Sequence, residues 1–172
     1  MTSGVTGAEL RLPTAADTRA FGVRLGRELA AGDLVVLAGP LGAGKTVLAQ
    51  GIGEGLGVEG PVVSPTFVIA REHRPLGAGP WLVHVDAYRL GGPAGRAELE
   101  DLDLDLDRAA VVVEWGVGLA EGLADSHLLV ELERPATGAP GDEPRQARIS
   151  AVGERWDPVV AELAERAGQS SA

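Results

Sequence analysis

GPLGAGKT, residues 39–46, decides how this chain is read, because it holds Lys45, the only lysine in 172 residues, while fourteen arginines are spread elsewhere. The stretch matches G-x-x-x-x-G-K-[ST] in full, the spacing of a backbone loop that cradles phosphate. Before it, residues 34–39 (LVVLAG) form a short unbroken run rich in branched side chains, which suits a strand covered on both faces. After it, VLAQGIGEGLG has helical periodicity weakened by Gly51, Gly53 and Gly55, each costing up to about 1 kcal/mol against alanine, so a short helix is predicted. Gly42 and Gly44 let backbone N–H groups face inward, and the helix start adds unsatisfied N–H groups and the positive end of its dipole. Phosphate contacts are therefore expected along Gly39, Gly42, Ala43, Gly44, Lys45, Thr46 and Val47. Lys45 brings a point charge to the β- and γ-phosphates of a nucleotide, and the Thr46 hydroxyl is placed to ligate a bridging Mg2+. A compact ammonium fits a narrow cradle where a planar guanidinium would not. A glycine-rich turn with an exposed lysine is the blander alternative, and strand, motif and helix in series weigh against it.

The rest of the composition bounds the answer. At 45% hydrophobic, the chain suits one domain over residues 1–172 that buries its own core without staples. Cysteine is absent, so nothing implies an oxidising compartment, a thiolate nucleophile or a Cys-based zinc site. A net charge of −10 repels polyanions, so no direct binding of DNA is expected and any link to nucleic acid is indirect. The first residues, MTSGVTGAELRLP, lack a basic segment followed by an apolar one, and no apolar run approaches the roughly 20 residues of a membrane span. A soluble cytoplasmic protein, without membrane contact, is the expectation.

Residues 14–31 read as a helix capped by Thr14 or Asp17 and ended by Gly32 and Asp33. Residues 61–74 and 81–90 read as two strands of an antiparallel hairpin joined by PLGAGP. Residues 97–110 are acidic, 111–115 (VVVEW) form a buried strand, and 116–123 a short helix. Two further strands, 127–133 and 146–153, precede a closing helix at 156–168, and residues 1–13 and 168–172 are expected to fray. The fold class is α/β, a single-domain P-loop NTPase with a mixed, partly parallel sheet flanked by helices.

Two carboxylates stand at strand ends, the edge where ligands bind in open α/β sheets: Glu114 after VVV and Asp86 after LVHV. Glu114 is assigned to the metal, directly or through water, because its wholly apolar strand reads as central. Asp86 is then the group that orients an attacking water or holds a metal-bound one. Each alone also fits a solvated acid at a strand end. His84 shares a strand face with Asp86, but two ligands do not make a zinc site, and His84 is taken as a structural hydrogen-bonding group. DLDLDLD alternates like a calcium loop, yet Leu106 stands where glycine is required and Val112 where a bidentate Glu is required, so it reads as a solvated acidic face. Guanine-reading P-loop proteins use an Asn/Thr-Lys-x-Asp sequence, which needs a second lysine; ATP is preferred over GTP.

Taken together, GPLGAGKT, SPTF at 64–67, HVDAYRL at 84–90 and VEW at 113–115 resemble, in order and spacing, the bacterial TsaE (YjeE) ATPases, a likeness running from the Thr18 helix through QARISA. The resemblance implies an ATPase subunit of the machinery that makes threonylcarbamoyladenosine in tRNA. It would act with TsaD and TsaB, meet tRNA indirectly through the complex, and reset the complex between rounds by hydrolysing ATP. By position it implies Lys45 and Thr46 at the phosphate and magnesium site, Glu114 as the magnesium carboxylate, Asp86 for turnover, and Trp115 close to the nucleotide. Ser64 and Thr66 become a switch-type loop near the γ-phosphate, with Thr66 counted as catalytic, and residues 14–18 and Arg145 fall near the adenine. Pro40 departs from the Asp or Asn common in the family and removes a backbone N–H, and Phe67 replaces a frequent tyrosine. A nucleotide switch with negligible hydrolysis and a small-molecule kinase, for which Arg71, Arg74 and Arg89 near the hairpin are the available arginines, are the competing readings.

Overall fold

In a computed structural model describing residues 5–40, 42–63, 70–88, 90, 94–134 and 144–169, the strands build one mixed sheet. They are β1 (Val5–Leu12), β2 (Leu34–Ala38), β3 (Ala70–His73), β4 (Trp81–Asp86), β5 (Ala109–Glu114), β6 (His127–Glu133) and β7 (Arg145–Val152), in the order β1-β7-β6-β2-β5-β4-β3. β2 pairs parallel with β5 and β6, and β4 parallel with β5, while the β1–β7, β6–β7 and β3–β4 pairs are antiparallel. The helices are α1 (Ala15–Glu28), α2 (Lys45–Leu56), α3 (Gly95–Glu100) and α4 (Asp157–Gln169). None among the described residues is long and apolar enough to cross a membrane.

The unbroken run of β2 is explained by burial on both sides. Val35 and Leu37 join Phe21, Leu25, Leu48, Ile52, Trp156 and Leu163 in the core beneath α1, α2 and α4. Leu34 and Val36 face the other way, into a second core with Val83, Val85, Val111, Val113 and Leu99. The predicted hairpin is present as β3 and β4, Ala70 opposite Val85, but it is shorter than 61–74 and 81–90: residues 61–63 lie outside any strand and β4 ends at Asp86. Ser64, Thr66 and Phe67 of the SPTF segment, and Arg89, lie outside the described residues.

Several boundaries correct the sequence reading. Within the start that the sequence predicts to fray, Val5–Leu12 instead forms an edge strand along β7, with Leu10 and Leu12 buried. The closing helix extends through Gln169, so 168 and 169 are helical rather than tail. The first helix stops at Glu28, ahead of Gly32; its start carries a full capping box, Thr14 Oγ1 accepting from Asp17 N at 3.1 Å and Asp17 Oδ2 from Thr14 N at 3.0 Å. The segment 116–123 is turns with a single 3-10 turn, Glu121–Leu123, instead of an α-helix.

α2 reaches twelve residues despite its glycines. The reason is tertiary: a Cβ on Gly51 would run into the Arg19 carbonyl, one on Gly55 into that of Val23, and one on Gly26 into that of Ile52. Glycines four apart, Gly22 and Gly26 facing Gly51 and Gly55, let α1 and α2 meet backbone to backbone. The helix propensity lost is offset by close packing that holds the helix behind the loop against the helix at its side.

Candidate phosphate-loop site

The loop leaves β2 at its C-terminal end and enters α2 at Lys45. Its turns need glycine: Gly39, Gly42 and Gly44 have φ of 141°, 77° and 100°. At Gly39 space adds a second reason, since a Cβ would lie 2.5 Å from the Leu132 carbonyl oxygen. Gly44 caps α2 with no side-chain hydrogen bond, so the first N–H groups of the helix, at Lys45, Thr46 and Val47, have no side-chain cap among the described residues. Ala43 is fully buried, and its N–H donates to Pro40 O at 3.1 Å, closing the loop across the proline.

Lys45 lies folded into this loop, 6% exposed. Its Nζ donates to Gly39 O at 2.7 Å and Pro40 O at 2.9 Å, and sits 3.9 Å from the centroid of the Trp115 ring. Burial is the largest influence on its pKa and holds it below the usual lysine value, against the pull of Glu114 and then Asp86.

Sheet register brings the two carboxylates to the same line. Leu37 of β2 stands beside Glu114 of β5, which stands beside Asp86 of β4. Glu114 shares a strand face with Val112, and Asp86 with Leu82, residues of the core under α2; both carboxylates therefore belong to the α2 side. Glu114 is 3% exposed and its Oε2 is 2.6 Å from Nε2 of the fully buried His84. Asp86 is half-buried, and its Oδ1 accepts from Tyr88 N at 3.0 Å.

Trp115 follows β5 with φ at 62°, a left-handed conformation costly for a bulky residue. It is held by its N–H donating to Leu37 O at 3.1 Å, by the Lys45 ammonium on its face, and by the exposed Tyr88 ring, edge-on at 5.1 Å between centroids. From the far side, Arg145 Nε donates to Ala43 O at 3.0 Å and its Nη2 to Gly42 O at 3.2 Å. The Thr18 methyl lies beside Gly44, 3.7 Å from where a Cβ there would stand.

The structure thus gathers Gly39, Gly42, Ala43, Gly44, Lys45, Thr46, Val47, Asp86, Glu114 and Trp115 at one sheet edge, while Thr66 lies outside the described residues. Sequence reasoning missed what His84 touches, the Tyr88 ring and the grip of Arg145 on the loop. For His84 the signal was its two-residue spacing from Asp86; Tyr88 stands within HVDAYRL and the resemblance puts Arg145 near the adenine, but neither carries a local signal for the ring contact or for the hold on the Gly42 and Ala43 carbonyls.

These residues suit a metal-bound polyphosphate. No group of three acidic or histidine side chains among the described residues forms a ready-made metal cage.

A parallel sheet core, a glycine loop between β2 and α2, and a lysine at the head of that helix define a protein of the P-loop NTPase-like α/β fold. The crystal structure of Bacillus subtilus YdiB superposes with a TM-score of 0.72 at 29% identity, covering 96% of this chain and 99% of that one. The family model described as Threonylcarbamoyl adenosine biosynthesis protein TsaE matches residues 12–140. The tRNA threonylcarbamoyladenosine biosynthesis protein TsaE of Streptomyces coelicolor is 56% identical over 140 residues, 80% of this chain and 93% of its own length. The protein so described in Bacillus subtilis is 38% identical over 135 residues, 77% of this chain and 78% of its own. The chain belongs to the TsaE family.

Proposed function

We propose that this chain is a magnesium-dependent ATPase of tRNA threonylcarbamoyladenosine biosynthesis, working in the cytoplasm with TsaD and TsaB and sustaining their multiple turnovers, with tRNA met only through the complex. The observation that carries the reading is the buried Lys45 ammonium at the β2–α2 loop, within electrostatic reach of Glu114 and Asp86. The backbone N–H groups of residues 42 and 44–47 would hold the phosphates, Lys45 would move from the Gly39 and Pro40 carbonyls to the β- and γ-phosphate oxygens, and Trp115 would border the nucleotide. Thr46 and Glu114 would hold magnesium, which when bound neutralises charge developing on the phosphates. Asp86 accepts a proton from, or orients, the attacking water, and Ser64 and Thr66 belong to the segment expected near the γ-phosphate. The missing second lysine favours adenine over guanine.

The test is phosphate release by the purified chain, alone and with TsaD plus TsaB, beside a Lys45→Ala control. Release above the control is expected, and more with the partners. Nucleotide binding with release no faster than Lys45→Ala would make the chain a switch, and transfer of phosphate to an added small-molecule acceptor would make it a kinase.

A further inference from the structure

We propose that Arg145 is a positioning residue of the phosphate loop, its guanidinium fork holding the Gly42 and Ala43 carbonyls so that the Gly44 N–H stays turned toward phosphate. The proposal rests on reading the loop as a nucleotide-phosphate site. Gly42 and Gly44, with φ of 77° and 100°, have no side chains to restrain them, and peptide planes between such residues turn freely unless something holds them. Nε of Arg145 donates to Ala43 O at 3.0 Å and Nη2 to Gly42 O at 3.2 Å, two successive carbonyls taken by one planar group. Nη1 donates to Pro144 O at 3.0 Å, which ties the guanidinium to the start of β7.

The consequence follows from peptide geometry. In a trans peptide the C=O and the following N–H point in opposite directions. Fixing Ala43 O toward β7 therefore aims Gly44 N–H away from β7, as an inward donor requires. The preceding peptide is fixed at both ends, by Arg145 on Gly42 O and by Ala43 N–H on Pro40 O at 3.1 Å. A lysine would keep the charge but reach the carbonyls as a single point, without the fork. The positive charge also stands behind an anion site in a chain of net charge −10.

Calorimetric titration of ATP and of inorganic tripolyphosphate, each with magnesium, into wild type, Lys45→Ala, Arg145→Ala and Arg145→Lys separates the possibilities. Expected for both Arg145 variants is a loss of about tenfold in affinity, equal for the two ligands, with faster amide exchange in the ligand-free protein at Ala43, whose N–H is held on Pro40 O. Tripolyphosphate affinity unchanged overturns the proposal, and if ATP alone weakens, Arg145 is a base contact. Full recovery in Arg145→Lys also overturns it, since charge would then suffice. Wild type binding both ligands no better than Lys45→Ala overturns the phosphate reading itself, and this proposal with it. Should Arg145→Ala fail to fold, Arg145→Lys carries the same readout.

Discussion

Two loops on this sheet attract attention in the sequence, the glycine loop at 39–44 and the acidic turn at 101–107, and the fold sends them to opposite edges. The first leaves the C-terminal end of β2; the second leads into the start of β5, which runs parallel to β2. Each edge has a non-glycine residue at left-handed φ, Trp115 at 62° and Asp103 at 51°. Asp adopts that conformation readily, whereas a bulky residue there costs of order 1–3 kcal/mol and persists only where its surroundings over-determine it. Around Trp115 they do, through Leu37 O, Lys45 and Tyr88. Polar groups at the glycine-loop edge are buried, Lys45 6%, Glu114 3% and His84 0% exposed, each with a named partner. In the acidic turn Leu102, Leu104 and Leu106 pack on the second core. Asp105 meets Arg108 at 3.2 Å in an ion pair with both side chains more than 40% exposed. Burial of charge separates the candidate site from the solvated turn, although the turn's own edge also holds one buried carboxylate, Asp33, paired with Arg155 at 2.9 Å; the density of charge does not.

The largest effect belongs to Lys45. Lys45→Ala is expected to reduce phosphate release to background and to weaken ATP binding in calorimetry by at least about tenfold. Because burial lowers its pKa, the native state disfavours the protonated lysine relative to the unfolded chain. Its charge therefore costs stability at neutral pH, a cost relieved only as pH rises from the folded pKa toward the ordinary 10.5. Lys45→Met should then unfold thermally at or above the wild-type midpoint. A marked drop would make Lys45 a structural residue and erase the contrast between the two edges.

The carboxylates come next, and they should fail differently. Asp86→Ala is expected to keep ATP binding and lose about 100-fold or more in turnover, since a group that positions water acts mainly in the transition state. Glu114→Gln keeps the volume and an acceptor for His84, yet should raise the magnesium needed for half-maximal ATP binding by about tenfold or more. Equal loss of binding in both variants would mean that the line Leu37, Glu114, Asp86 does not divide metal holding from water positioning. His84→Ala should shift the same magnesium titration in the same direction but less than Glu114→Gln, with His84→Gln, which retains an N–H donor, recovering part of it. A lowered unfolding midpoint with no magnesium shift would return His84 to a purely structural part.

What was legible in the chain was what is local. GPLGAGKT carries its loop in the spacing of glycines and lysine, and VVVE announces a buried strand ending in a carboxylate. The bond from His84 to Glu114 was hidden because the two are thirty residues apart and meet only when β4 and β5 lie side by side. Thr6–Ala8 and Glu9–Leu12 read as a frayed start because Gly7, Glu9 and Arg11 dilute the apolar signal, and pairing with β7 near the other end of the chain supplies the missing order. Gly51 and Gly55 spoke for a short helix because propensity is blind to a second helix that needs them small.

The smallest effect expected is at the acidic turn, and its smallness is the point. Asp103→Asn with Asp105→Asn removes two charges whose environment is solvent and one half-exposed arginine, Arg108, itself 4.3 Å from the centroid of the Trp81 ring. Asn tolerates left-handed φ as Asp does, so position 103 keeps its backbone. Stability should move by less than about 0.5 kcal/mol, the usual scale for surface charges, while phosphate release and ATP affinity stay at wild-type values. Leu104→Ala is the counterpart: it strips a side chain packed on the second core and should lower the unfolding midpoint further than the double Asn variant, again without touching phosphate release. If instead the Asn pair slows phosphate release tenfold, or calcium raises the midpoint of wild type but not of the variant, the acidic turn binds something that matters. Sheet edge and burial would then no longer tell a site from a surface in this fold.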